Sequence, residues 1–223
     1  MENQIRIVST KKLLPNQKQY LLNANFSVVE ADFIGIKLKN FLFEDTSEFL
    51  IFTSQNAVES VLKNNKIDTI VPKRCFCVGE KTKALLEQNG FVVLVCTDYA
   101  AELASIICNK YLKHTFTFFS GNLRRDILPE AMQLAQIQFK EIEVYETIFT
   151  PNIIPAKPDG ILFFSPSAVE SYLKENTITN EMCFCIGVAT AETVEKTTAN
   201  VRIANQPSVE NVIIQCINYY SKK

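Results

Sequence analysis

The amino-acid sequence predicts an internally duplicated α/β protein, with two doubly wound parallel-sheet lobes facing each other across a ligand cleft. Three observations predict it. A long segment recurs at a nearly constant offset; short apolar runs are each followed at once by small polar residues and a helical pattern; and 223 residues suit two lobes of roughly 100 residues each.

The repeat is the strongest of these. Ile51-Phe-Thr-Ser-Gln-Asn-Ala-Val-Glu-Ser-Val-Leu-Lys63 returns as Leu162-Phe-Phe-Ser-Pro-Ser-Ala-Val-Glu-Ser-Tyr-Leu-Lys174, 111 positions later. Cys75-Phe-Cys-Val-Gly79 returns as Cys183-Phe-Cys-Ile-Gly187 at an offset of 108, each followed by a helical stretch with Thr82 or Thr190 in matching places. Weaker matches keep the order: Ile5 to Ser9 with Phe116 to Ser120 at 111, and Phe26 to Asp32 with Phe139 to Tyr145 at 113. Glu102, Cys108 and Tyr111 parallel Glu210, Cys216 and Tyr219 at 108.

The runs Ile5–Val8, Phe49–Phe52, Phe116–Phe119 and Ile161–Phe164 are short and apolar throughout, as strands buried on both faces should be. Ser165-Pro166 fits a helix N-cap with proline at the first helical position, although Ser167 with Glu170 would also make a capping box. In the last helix Val209, Val212, Ile213, Cys216, Ile217 and Tyr220 share one face. Strands alternating with helices imply parallel sheets. Ile34 to Phe41 alternates apolar and polar residues, as a half-exposed strand does, and Tyr145 to Thr150 holds the equivalent place in the second repeat. Both read as connectors. They either join tandem domains or carry the chain across and back, and patterning alone leaves both open.

Bulk properties exclude several functions. A net charge of −1, from 23 basic and 24 acidic residues, argues against a nucleic-acid partner, which needs a basic face. The start, Met1-Glu-Asn-Gln-Ile-Arg6, shows no export signal, so a cytoplasmic location is expected. No stretch reaches the ~20 apolar residues that span a bilayer, so no membrane association is expected. Seven cysteines without disulfide-type spacing suit a reducing compartment. His114 stands alone, against most metal cages, and no metal site is expected. Neither G-x-G-x-x-G nor G-x-x-x-x-G-K-[ST] occurs.

In doubly wound sheets, ligands bind where strand carboxyl ends meet helix N-termini. Five loops qualify: Ser54-Gln-Asn56, Gly79-Glu-Lys81-Thr82, Ser120-Gly121-Asn122, Ser165-Pro-Ser167 and Gly187-Val-Ala-Thr190. Each is expected to offer backbone N–H groups at the positive end of a helix, which suits carboxylate or phosphate. Plain helix capping asks for the same residue types; it is the number of such loops that favours an anionic ligand. Cys75/Cys77 and Cys183/Cys185 have strand spacing and read as core. Asp45/Glu48 and Glu141/Glu143 read as solvated carboxylates. Where the repeat is broken, Lys81 is matched by Ala189 and Tyr145 by Asp32, and Arg124 and Arg125 have no basic counterpart. Lys81 and the arginines read as solvated helix residues.

These segments resemble the uroporphyrinogen-III synthase family over nearly the whole chain. Phe52-Thr-Ser-Gln-Asn-Ala-Val58 and Phe164-Ser-Pro-Ser-Ala-Val169 are similar to its paired F-T-S-x-x-A-V segments. Cys77 to Thr82 with Ala84 to Phe91 resembles its V-G-x-x-T-A-x-A-L-x-x-x-G-F stretch, and Gly121 to Pro129 with Val144-Tyr-Glu-Thr147 resembles the approach to its return connector. The resemblance implies two α/β lobes joined by a two-stranded connector: residues 1–35 plus 150–223 as a discontinuous lobe, 36–149 as an inserted one, and connectors near 33–41 and 144–151. It implies that hydroxymethylbilane, a linear tetrapyrrole, loses water and closes to uroporphyrinogen III with inversion of ring D, without a cofactor. It further implies Tyr145 as the catalytic candidate, Thr10 and Lys11 as a further binding loop beside the five, a monomer, and a transient contact with the preceding pathway enzyme. Lys11 departs from the family's usual arginine and loses the bidentate fork; Gly187-Val-Ala-Thr190 departs from Gly-Pro-Thr-Thr; Gln55 and Phe164 depart as well. A two-lobed ligand-binding or regulatory protein of the same fold without catalysis is the alternative.

Overall fold

The strands form where apolar residues face core on both sides, and the helices where a small polar residue can cap them. The computed structural model of the chain describes residues 4–42 and 47–221; Asp45, half of the Asp45/Glu48 pair, lies outside the described residues. In chain order the first elements are β1 (Arg6–Ser9), α1 (Pro15–Asn23), β2 (Ser27–Glu30), β3 (Ile34–Leu38), β4 (Phe49–Phe52) and α2 (Gln55–Leu62). Then come β5 (Arg74–Val78), α3 (Glu80–Gln88), β6 (Val92–Thr97), α4 (Ala100–Lys110), β7 (Phe116–Gly121), α5 (Ile127–Leu134) and β8 (Phe139–Phe149). The chain ends with β9 (Gly160–Phe163), α6 (Pro166–Tyr172), β10 (Met182–Cys185), α7 (Val188–Glu195), β11 (Val201–Ile203) and α8 (Val209–Tyr220).

The chain divides into two compact units, Met1–Gly35 with Ile148–Lys223, and Ile36–Thr147. The first holds a parallel sheet in the order β11-β10-β9-β1-β2. On one face Val8, Ile161, Phe163, Cys183 and Cys185 pack under α6 and α7; on the other Ile7, Leu162 and Phe184 pack under α1 and α8. Adjacent strand residues thus serve opposite faces, the period of two that a pleated strand imposes.

The second unit holds the order β3-β8-β7-β4-β5-β6. Leu50, Phe52, Cys75 and Cys77 face α2 and α3, while Phe49, Ile51, Phe76 and Phe118 face α4 and α5. Strands β8-β7-β4-β5-β6 are parallel. The edge strand β3 is antiparallel to β8: Lys39 N–H donates to the Val144 carbonyl at 2.9 Å and Thr150 N–H to the Phe33 carbonyl at 3.0 Å, so one strand's numbers rise as the other's fall. This sheet is therefore mixed, its antiparallel pair lying where the sequence reading places the connectors near 33–41 and 144–151, and no residue of β3 is fully buried.

Aligned on the repeat, β2-β1-β9-β10-β11 corresponds to β8-β7-β4-β5-β6. Apart from the edge strand β3, each sheet takes two strands from one copy of the repeat and three from the other.

The N-cap of α6 is Ser165, not Ser167: its Oγ accepts from Ala168 N–H at 3.1 Å and Pro166 fills the first turn. Ser54 caps α2 in the same way through Asn56 N–H at 3.1 Å. Cys75, Cys77, Cys183 and Cys185 are fully buried, and burial pushes the thiols of Cys75, Cys183 and Cys185 up to about 12. They are core atoms, since a ligand or nucleophile needs the thiolate. No helix among the described residues is long and apolar enough to cross a membrane.

Phe52 is fully buried and stacks on Phe119 with ring centroids 5.1 Å apart. Phe52→Ala is expected to lower unfolding free energy by about 3–5 kcal/mol, measured by urea denaturation; a loss under about 1 kcal/mol contradicts this packing.

Candidate active site

Parallel strands deliver their carboxyl ends to one edge of a sheet, and the sequence-predicted residues gather there. In the second unit Tyr145 (β8), Ser120 and Gly121 (β7), Ser54 (the N-cap after β4) and Gly79 (the N-cap after β5) lie on four consecutive strands or their exits. In the first unit Thr10 follows β1, Ser165 follows β9 and Gly187 follows β10, again on consecutive strands.

Four of the five loops open helices. Ser54, Gly79, Ser165 and Gly187 are the N-caps of α2, α3, α6 and α7. Of the first-turn N–H groups there, those of Asn56 and Ala168 donate to the cap hydroxyls of Ser54 and Ser165, and those of Thr82 and Thr190 to the cap carbonyls of Gly79 and Gly187. The earlier ones in each turn carry the helix's positive end without a partner in the helix. Thr82 and Thr190 sit at the third helical position, almost fully buried, and neither hydroxyl has a hydrogen-bond partner among the described residues. Asn56 and Ser167 flank the caps of α2 and α6; Ser167 Oγ lies 3.0 Å from Ser165 Oγ. Lys81 is exposed on the first turn of α3.

The fifth loop is a correction. Ser120 and Gly121 belong to β7, and α5 starts only at Ile127. Asn122 is exposed and uses its side chain on the chain itself: Oδ1 accepts from Thr147 N–H at 2.8 Å and Nδ2 donates to the Thr147 carbonyl at 3.3 Å. Arg124 stands in the stretch between β7 and α5. This residue lies before the helix, not on it, and its guanidinium pairs with Asp126 and with both oxygens of Glu141. Glu143 likewise pairs with Lys39 at 2.8 Å. The Glu141/Glu143 pair is therefore engaged with cations, and Arg124 is neutralised.

Thr10 is 1% exposed, and its Oγ1 donates to the Leu162 carbonyl at 2.8 Å, tying β1 to β9. Its proton is already committed. Lys11 is exposed, with its ammonium 5.9 Å from the Phe164 ring centroid, a weak cation–π contact. Asp32, the repeat counterpart of Tyr145, accepts from Lys12 N–H at 2.9 Å. The carboxylate thus closes the β1–α1 loop, a role that sequence reading missed because it depends on a backbone donor twenty positions away.

Tyr145 is half-buried against the cluster around Phe52, Phe119 and Val144. Its hydroxyl makes no hydrogen bond among the described residues. A second missed residue supports it: Ser60, buried on α2, donates its hydroxyl to the Val144 carbonyl. Its repeat counterpart Ser171 is equally buried, yet its Oγ has no partner among the described residues. Both serines stand in the quoted repeat, so position was legible and role was not.

A family model described as uroporphyrinogen-III synthase HemD matches residues 18–214. The chain belongs to that family. Solved structures share its fold. The uroporphyrinogen-III synthetase of Helicobacter pylori is 20% identical with a TM-score of 0.73, over 97% of this chain and 100% of that one. A mutant uroporphyrinogen III synthase from Thermus thermophilus is 10% identical with a TM-score of 0.72, over 98% of this chain and 100% of that one. The wild-type Thermus thermophilus enzyme in a second crystal form gives 11% identity and a TM-score of 0.54, over 98% of both chains.

The paired glycines of this family fold differ in a measurable way. Gly79 has φ +87° and ψ 133°, a region nearly closed to other residues. Gly187 has φ −171°, and an added Cβ there would meet nothing within 4 Å. Gly79→Ala is expected to cost about 1–3 kcal/mol, and Gly187→Ala less than about 0.5 kcal/mol. Equal losses in urea denaturation would contradict the two geometries.

Proposed function

We propose that this chain cyclises hydroxymethylbilane, with loss of water and inversion of ring D, to uroporphyrinogen III, as a cyclising hydro-lyase of tetrapyrrole biosynthesis. The observation that carries the reading is the family match across residues 18–214.

The chemistry fits the residues described above. The substrate bears acetate and propionate groups on every ring, and the N-termini of α2, α3, α6 and α7 present first-turn N–H groups that bind carboxylates without a basic side chain. Ser54, Asn56, Gly79, Lys81 and Thr82 serve in one unit, and Lys11, Ser165, Ser167, Gly187 and Thr190 in the other. Thr10 acts through the backbone it holds, because its hydroxyl donates to Leu162. Left alone, the bilane closes without inversion. The protein's task is to select the folded conformer in which ring D attacks through its substituted carbon, and much of the rate comes from that restriction.

Tyr145 supplies the proton. What supports it is a phenol on the carboxyl edge whose oxygen is unclaimed by the described residues. Protonation of the ring-A hydroxymethyl oxygen releases water and leaves an azafulvene cation. Ring D attacks to give a spiro intermediate, which fragments and recloses inverted; the proton lost as the pyrrole regains aromaticity restores the phenol. The reaction changes no oxidation state and calls for no cofactor. A spontaneously closing substrate also favours direct transfer from the preceding pathway enzyme to a monomer in the cytoplasm.

The test is to supply freshly made hydroxymethylbilane and separate the type I and type III products. Type III is expected in excess; type I alone, at the uncatalysed rate, would leave a binding or regulatory protein of this fold. Tyr145→Phe is expected to slow type III formation by about 100-fold with an unchanged denaturation midpoint. Wild-type turnover from that variant removes the acid role.

A further inference from the structure

The ring of Tyr145 sits where the ladder between β7 and β8 is irregular. Up to Ser120 the strands pair residue for residue, with Ser120 opposite Glu143; the next pair is Gly121 opposite Tyr145, so Val144 is an extra residue. Such a bulge bends the strand and re-aims a side chain. In a regular strand, neighbours point to opposite faces. Here Val144 is fully buried in one cluster, and Tyr145 packs against the same cluster.

The bulge is braced on every side. The Val144 carbonyl accepts from Lys39 N–H at 2.9 Å and from the Ser60 hydroxyl. The Tyr145 carbonyl accepts from Asn122 N–H at 3.3 Å. Beyond the end of β7, the Asn122 amide takes both the N–H and the carbonyl of Thr147, extending the ladder with a side chain in place of backbone.

Gly121 provides the space. A Cβ built there would come within 2.8 Å of Cζ, Cε1 and Cε2 of Tyr145, closer than any real methyl contact. Those are the atoms at the hydroxyl end of the ring, so the bare backbone of Gly121 is the floor on which the phenol rests. No positive φ asks for glycine at this position. The duplication supplies an internal control. In the other unit Asp32 replaces Tyr145, and there Thr10, with a full side chain, stands 111 positions before Gly121.

We propose that Gly121 and Asn122 are positioning residues for the Tyr145 phenol, Gly121 by lacking a side chain and Asn122 by bracing Thr147, and that neither binds substrate through a side chain. Their catalytic importance rests on the acid role given to Tyr145 above; the seating of the ring does not.

The experiment separates the two. In protein labelled with ring-¹³C tyrosine, the Tyr145 resonance is the one of seven tyrosines that Tyr145→Phe removes. Gly121→Ala is expected to shift that resonance while the other six stay in place. It should lower kcat for type III product about tenfold or more, with KM within twofold. Asn122→Ala should move the same resonance less, and it serves if Gly121→Ala folds poorly. In that event Gly121→Ala combined with Tyr145→Val should regain stability, because the ring that clashes is gone. A Tyr145 resonance unmoved by both single variants overturns the proposal, as does a raised KM with unchanged kcat, the signature of a lost substrate contact. Wild-type turnover from Tyr145→Phe sinks the acid role alone, and the resonance shift then decides the seat by itself.

Discussion

Parallel pairing is the constraint from which the rest follows. Ten of the eleven strands among the described residues run parallel to a neighbour, so within each sheet the carboxyl ends of these strands fall on one edge, and a helix that follows such a strand begins at that edge. The first-turn N–H groups that the caps leave over are thereby gathered without any charged side chain being spent on them. The apolar content of the strands is what permits this. Phe52, Phe163, Cys77 and Cys185 are buried because helices cover both faces of each sheet, and only a sheet so covered tolerates strands with no polar face.

Duplication alone would give each unit the same edge, and the polar differences are what an asymmetric substrate requires. Asp32 and Tyr145 hold equivalent places and do unlike work. The carboxylate closes a loop through Lys12 N–H, while the phenol lies over Gly121 with its oxygen unclaimed among the described residues. Ser60 and Ser171 diverge similarly, one bonded to the Val144 carbonyl and one without a partner among the described residues. A repeat conserves the scaffold, and function accumulates where a partner residue has changed.

The sequence made the scaffold legible because its signals are local. Apolar runs marked β1, β4, β7 and β9, alternation marked β3, and Ser165-Pro166 marked the start of α6. The short strands β2 and β11 carry no comparable signal, since strands with few buried residues resemble loops. Part of the candidate site's geometry was legible for the same reason: Ser54, Gly79, Ser165 and Gly187 are caps, and capping is written in adjacent residues. The Asn122 loop misled because its partner, Thr147, is 25 positions away, and a small polar triplet after a strand reads alike whether it opens a helix or extends a ladder. Arg124 misled similarly. Its ion pair with Glu141 joins the entrance of α5 to β8, and no spacing rule connects them.

The proposed function rests on backbone N–H groups at the carboxyl edge of each sheet being able to bind carboxylates. Amide chemical shifts of ¹⁵N-labelled protein, titrated with an octacarboxylate tetrapyrrole of the type III series, test it most directly. The account predicts saturable shifts at Gln55, Asn56, Glu80, Lys81, Ser167, Val188 and Ala189. Shifts confined to the opposite strand ends, around His114 and Lys157, with those seven amides unmoved, would contradict it.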